Sequence, residues 1–280
     1  MDTMLHFSSD NLATKFLSNE ELRSVVPYAY ATEPMSTNVS DRYAFIPTSR
    51  LIDDMSALGW NVVDAKQAGR RKNAKNHKSF HMLAFQNPNV CIKSENGEVD
   101  CYPRIIITNS HDGQNSFKFM IGLFRLVCSN GMVVATETFA SISVRHINYT
   151  FEELQIVVAK AMAVLPAQVD TMNTMKSINL TDAQKLELAL IAIRIRKNND
   201  NLNVDDQTLT DMLTPVREQD AGNDLWTVFN VLQEKIIKGG FDASFDNRKA
   251  RKVRAIKSAS KDIEINQRLY NAAYSYAVAV

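Results

Sequence analysis

The side chains in this chain from which chemistry could be built are five histidines, three cysteines and a scatter of carboxylates. Cys128 stands in FRLVCSNG, where a thiolate with His111 or His146 as its base would be a nucleophile. A thiol in an apolar strand beside a hairpin turn is far more often a packing residue, and packing is its expected role. His77 and His81 are four residues apart, a spacing that would share one face of a helix. His81 falls where a strand is read, however, and no Cys or carboxylate stands nearby at ligand spacing, so no metal is expected. Asp112 in SHDG could serve a hydrolase or nuclease together with His111 or His146, but Asp-Gly is first of all a turn former. There is no phosphate-cradling glycine loop followed by Lys-Ser/Thr, no dinucleotide fingerprint and no His-Glu-x-x-His pair. These readings together lead to the expectation of no cofactor and no catalytic residue.

Charge segregation is the stronger signal. With 32 Lys and Arg against 31 Asp and Glu the net charge is only +1, so affinity for a polyanion must come from local clusters. Between Asp64 and Glu95 no acid occurs, while Lys66, Arg70, Arg71, Lys72, Lys75, Lys78 and Lys93 are all basic. The middle of this tract, QAGRRKNAKNHK, has no apolar period and reads as a loop or arm. A second group, Arg104, Lys118 and Arg125, is set against Asp112 alone from Cys101 to Thr136. A third comprises Arg248, Lys249, Arg251, Lys252 and Arg254, continued by Lys257 and Lys261 up to Asp262. Such clusters, brought to one surface, would hold phosphates and release counterions. Tyr102, Phe117, Phe119 and Phe124 would add base stacking where exposed, although alternate strand residues face a core and most are expected there. For the third group the competing expectation is a solvated helix face.

The length suits one large or two small domains, and 45% hydrophobic residues suffice for a core without staples. An odd number of cysteines and an N-terminus carrying Asp2 and Asp10 lead to the expectation of reduced thiols, no signal peptide and a cytosolic location. No stretch approaches the roughly 20 apolar residues of a membrane span.

The elements that must position these residues are read from periodicity. Arg104 to His146 reads as three or four strands rich in Ile, Val, Phe and Thr, separated by Asp112-Gly113 and Asn130-Gly131. Short turns require antiparallel pairing, so this is a meander. Further strands are expected around Tyr43, Phe45 and Ile46, at Trp60, Val62 and Val63, and from Phe80 to Phe85. Helices are expected after Ser18, capped with Glu21, and from Ser49 to Gly59. Others follow Thr150, with Pro166 interrupting the ladder, and run from Asp182 to Lys197 and from Asp224 to Gly239. The apolar C-terminus LYNAAYSYAVAV is expected to pack on the domain or on a neighbouring subunit. The expected class is α+β, an antiparallel β-meander (β-β-β-α core) covered by helices, with a helical C-terminal part. Its parts are a helical segment over 1–40, the sheet and its covering helix over 41–165, and a helical region with the basic run over 166–280.

The blocks RYAFIPTSRLIDDMSALGW, HMLAF, NSHDGQNSFKFMIGLFRLVCSNGMVV, SVRH and LWTVFNVLQEKIIKGG resemble a phage- and plasmid-borne family catalogued as domain of unknown function 932, over roughly residues 40 to 255. The resemblance implies a mobile-element context and the cytoplasm of a bacterial host, and brings no reaction. The β-β-β-α order is also similar to that of single-strand-annealing recombination proteins, which form rings or filaments and hold single-stranded DNA without nucleotide hydrolysis. The resulting expectation is a phage-encoded homo-oligomer that binds single-stranded nucleic acid and promotes annealing. Its phosphate contacts would come from the 66–78 arm, from Arg104, Lys118 and Arg125, and from the run beginning at Arg248. The alternative is a non-enzymatic phage interaction protein that inhibits a host defence or a host enzyme, its basic tracts meeting an acidic host protein partner.

Overall fold

A computed structural model describes residues 3–7, 15–34, 45–67, 79–94, 96–112, 117–125, 131–134, 143–144 and 150–278. The fold is α+β. Its sheet contains β1 (Thr3–Phe7), β2 (Asn61–Gln67), β3 (His81–Gln86), β4 (Val90–Ser94), β5 (Val99–Asn109), β6 (Phe117–Arg125), β7 (Gly131–Val134) and β8 (Ser143–Val144). Strand β5 is paired along both edges. On one side it meets β3 (Ile107↔Leu83) and then β4 (Cys101↔Ile92), and on the other it meets β6 (Ile107↔Phe119). All pairings are antiparallel, with β2 beyond β3 and β1 beyond β4. The meander β5-β6-β7 is as read from the turn signals, but β8 returns to β6, pairing Phe117 with Val144, instead of adding to β7.

Alternation along the strands sends side chains to two different packings. Leu83, Phe85, Ile105, Ile107, Phe119 and Ile121 enter the large core, together with Leu51 and Met55 of α2 (Thr48–Ala57) and Leu154, Leu165 and Met172 of α3 (Phe151–Ser177). On the other face Met82, Ala84, Ile106 and Met120 form a smaller cluster with Ala259 and Ile263 of α7 (Ala259–Val278). Two-sided burial explains why HMLAFQ is apolar almost throughout, without the alternation of a half-solvated strand. The C-terminal part is helical, with α4 (Asp182–Lys197), α5 (Asp206–Leu213) and α6 (Leu225–Lys238) preceding α7, and a two-stranded hairpin of β9 (Asp242–Ala243) and β10 (Arg251–Lys252) between α6 and α7. Among the described residues, no helix is long and apolar enough to cross a membrane.

Local chemistry sets the helix starts. Ser18 and Glu21 form a reciprocal capping box on α1 (Asn19–Val25), and Thr150 with Glu153 does the same on α3. Four sequence expectations are corrected. Residues 3–7, expected within a helical segment, form β1 on the edge of β4, a five-residue strand whose partner is 83 or more residues away in the chain. Phe45 and Ile46 are irregular rather than a strand, because Ile46 is buried ahead of α2 and Phe45 lies against His111. Helix α3 does not stop near Pro166 but continues to Ser177, so the boundary at 165/166 falls inside one element. Pro166 lacks an amide hydrogen but lies on the exposed side, while Leu165, Val169, Met172 and Met175 keep one face packed. The basic run from Arg248 is not a helix face over most of its length: it holds the hairpin strand Arg251–Lys252 and chain without regular secondary structure until α7 starts at Ala259.

Helix α6 ends at Gly239 with φ 67° and ψ −138°, and the amide of Gly240 donates to the Val253 carbonyl at 2.8 Å. A Cβ at position 239 would collide with that same carbonyl oxygen, in a backbone region that L-residues rarely adopt. Gly239→Ala is therefore expected to destabilise the fold by more than about 1 kcal/mol. Urea unfolding measures this directly, and an unchanged midpoint would contradict the packing of Val253 against the end of α6.

Candidate functional site

The cations expected to contact phosphate are distributed unevenly. Arg70, Arg71, Lys72, Lys75 and Lys78 lie outside the described residues, as do His77, Cys128 and His146. Lys66, at the end of β2, donates to the Asp262 carboxylate of α7 at 2.6 Å. Arg104 on β5 is partly buried, with Nε donating to Gln86 Oε1 at 3.1 Å, and burial pushes its guanidinium down to about 10 against the pull of Asp64. Lys118 on β6 is exposed. Arg125 ends β6 opposite Cys101. Tyr102, Phe117 and Phe119 are buried, so these rings are not stacking platforms.

The strands nevertheless bring two of the tracts together. Backbone register sets Lys66, Met82, Thr108 and Lys118 in one cross-strand row on the face that α7 covers. Asp262, which holds Lys66, follows Lys261 directly, so the last basic run ends at this row. The same carboxylate accepts from Asn266 Nδ2 at 2.7 Å, and Asn266 Oδ1 accepts from Gln233 of α6 at 2.8 Å. A buried polar chain thus ties β2, α7 and α6.

In the third run, Arg248, Lys249, Arg251, Lys252, Arg254, Lys257 and Lys261 are all exposed, and none forms an ion pair among the described residues. Buried contacts fix the backbone between them. Val253 is buried, its amide donates to Phe241, and the Ile256 amide donates to the Ile237 carbonyl at 2.8 Å. Beneath it the buried guanidinium of Arg196, at the end of α4, donates to the carbonyls of Ile236 and Arg254. Burial lowers the pKa of Arg196. Its neighbour Lys197 is lowered by burial first and then by Arg196 and Lys261, which places further positive charge beside the run. The Lys197 ammonium sits 4.3 Å from the centre of the Phe245 ring. Sequence reading missed Arg196 and Lys197. Their only signal was RIRK at the end of a helical period, which also reads as favourable charge near a helix C-terminus.

The SHDG residues form a second, buried assembly. The Thr48 hydroxyl, in the first turn of α2, lies 2.9 Å from His81 Nε2 and 3.2 Å from His111 Nε2, and accepts from Asn109 Nδ2 at 3.0 Å. His81 Nδ1 is 2.8 Å from the Ser79 carbonyl, an acceptor only, so Nδ1 carries the proton and Nε2 accepts from Thr48. The His111 amide donates to Ser79 Oγ at 2.7 Å, and the Ser79 amide to Asp112 at 3.4 Å. A hydroxyl on an oriented imidazole has the layout of an activated nucleophile. Here Thr48, Ser79, His81, Asn109 and His111 are all closed to solvent, and the assembly acts as a clamp joining α2 to the ends of β3 and β5. Among the described residues, no group of three or more His, Cys, Asp or Glu is placed to hold a metal ion.

A family model described as "Domain of unknown function (DUF932)" matches residues 36–270. The chain is 30% identical over 254 residues to UPF0380 protein YafZ of Escherichia coli (strain K12), covering 91% of this chain and 89% of that protein. It is 29% identical, with the same coverage, to UPF0380 protein YfjQ of the same organism. No solved structure gives a significant match.

The clamp makes stability depend on pH. Burial holds the His81 imidazole down at about 4, opposed by its bond to Ser79 and by the charge of Asp112. An unfolded histidine titrates near 6.5. Between those values the unfolded chain binds the extra proton, so this contribution is complete above about pH 6.5 and is lost as pH falls to about 4. Its size is on the order of 3 kcal/mol. Urea unfolding between pH 7 and 4 is expected to show a shallower decline in His81→Gln than in the wild type. Parallel pH profiles would contradict a neutral, buried His81.

Proposed function

The chain belongs to the DUF932 family, whose description names no reaction, and from that premise we propose that it binds single-stranded nucleic acid without sequence preference. The observation that carries the reading is the strip from Arg248 to Lys261: seven exposed Lys and Arg, with no carboxylate between Asp246 and Asp262. Each phosphate that such a strip neutralises releases condensed counterions. A strip whose only regular part before Ala259 is the short strand Arg251–Lys252 supports a single strand as the ligand, because no helix lies between Arg248 and Ser258 to enter a major groove. Burial of Tyr102, Phe117 and Phe119 takes stacking away from these rings, which leaves electrostatics as the main source of affinity. Strands whose phosphates are neutralised repel one another less, so annealing of complementary strands is the activity this surface supports, and it requires no nucleotide hydrolysis.

The test is fluorescence anisotropy on labelled oligo-dT across a salt series. Replacing Arg251, Lys252, Arg254 and Lys257 together by Ala is expected to weaken binding and to flatten the plot of log affinity against log salt, by about 0.7 in slope for each phosphate that is no longer neutralised. The Lys15→Ala variant, remote in sequence and paired with Glu21, is expected to bind as the wild type does. A quadruple variant with unchanged affinity and slope would refute the assignment.

A further inference from the structure

Helix α3 has a face that the described fold leaves open. Its inward side is closed by Leu154, Ala161, Leu165, Val169 and Met172, while Ile156, Ala159, Ala163, Pro166 and Ala167 are exposed on the opposite side, Ile156 at 55%. A solvent-facing helix side normally carries charge. Between Glu153 and Asp170 the only charged residue is Lys160.

From this face and its two charges we infer that the chain pairs with a second copy of itself through α3, the two helices running antiparallel. A two-fold axis passing the helix at position 165 sets Ala163 against Ala167 of the second copy. The same axis sets Lys160, five residues before it, against Asp170, five residues after it. At 100° per residue Ile156, Ala159, Lys160, Ala163, Ala167 and Asp170 fall within about 60° of one direction, so both charges lie on the open face. Neither Lys160 nor Asp170 has an ion-pair partner among the described residues, and both are exposed. Symmetry uses each charge twice, giving two identical ion pairs around an apolar centre, as an isologous interface requires. Alanine at 159, 163 and 167 forms a ridge low enough for a helix axis to approach to about 8 Å. This inference stands apart from the nucleic-acid reading, and either can fail alone.

Mass photometry and sedimentation of the full chain, treated with nuclease so that bound nucleic acid cannot bridge copies, are expected to give twice the 31.5 kDa chain mass. Lys160→Asp replaces both attractions by repulsions and is expected to raise the dimer dissociation constant about tenfold. Adding Asp170→Lys to that variant restores opposite charges across the axis and is expected to recover the dimer, which repair of a folding defect would not do. As a second readout, mixing Ala163→Cys with Ala167→Cys chains under mild oxidation is expected to give a disulfide between the two. A monomer at all concentrations overturns the inference. So does a dimer that is indifferent to both charge variants and forms no mixed disulfide.

Discussion

Strand β5 is hydrogen-bonded along both edges, and this one constraint arranges the layers around it. As the central strand, with β3 and β4 on one side and β6 on the other, β5 carries side chains on both faces of the sheet, and both faces are covered. Ile105 and Ile107 enter the main core with α2 and α3, while Ile106 meets Ala259 and Ile263 at the start of α7. Helix α7 thus begins against the second face, while its later residues Ile265, Leu269 and Ala273, and Val253 of the basic run before it, pack into the main core.

The strip itself depends on a buried cation. Removing a guanidinium from water is costly unless its donors are satisfied, and in Arg196 the carbonyls of Ile236 and Arg254 supply acceptors. Those carbonyls belong to the end of α6 and to the strip, so the bonds that make Arg196 tolerable in the interior also fasten the strip to the helical part. Gly239 allows Val253 to approach closely enough for the remaining backbone bonds. If the strip met a polyanion, little backbone entropy would be lost between these anchors, because the backbone there is held by Val253, Ile256 and Arg196 beforehand. A loop of the same composition without Val253, Ile256 and Arg196 would have to be ordered at the moment of binding.

Much of the fold was legible in the sequence where the signal is local. The capping box at Ser18, the cap at Thr150, the apolar period of α2 and α6, and the meander β5-β6-β7 all rest on residues within a few positions of one another. Strands β1 and β4 were not legible: five residues of mixed character become strands only through partners elsewhere in the chain. Pro166 misled for the same reason, since packing of Leu165, Val169 and Met172 outweighs one absent amide bond. At the candidate site, composition identified the basic runs but not the environment of each cation. Lys118 and Arg104 lie on neighbouring strands of the same sheet, yet one is open to solvent and the other is held beside Gln86. The SHDG block signalled a turn and a family, whereas the burial of His111 against Thr48 and His81 depends on partners 63 and 30 residues away.

Amine footprinting of the wild-type chain tests the central claim without altering a residue. Brief acetylation, read by mass spectrometry with and without saturating oligo-dT at low salt, compares every lysine in one sample. Lys249, Lys252, Lys257 and Lys261 are expected to be protected together and re-exposed as salt is raised, while Lys15 and Lys160 are labelled equally in both states. Equal labelling of the four strip lysines with and without a bound strand would contradict it.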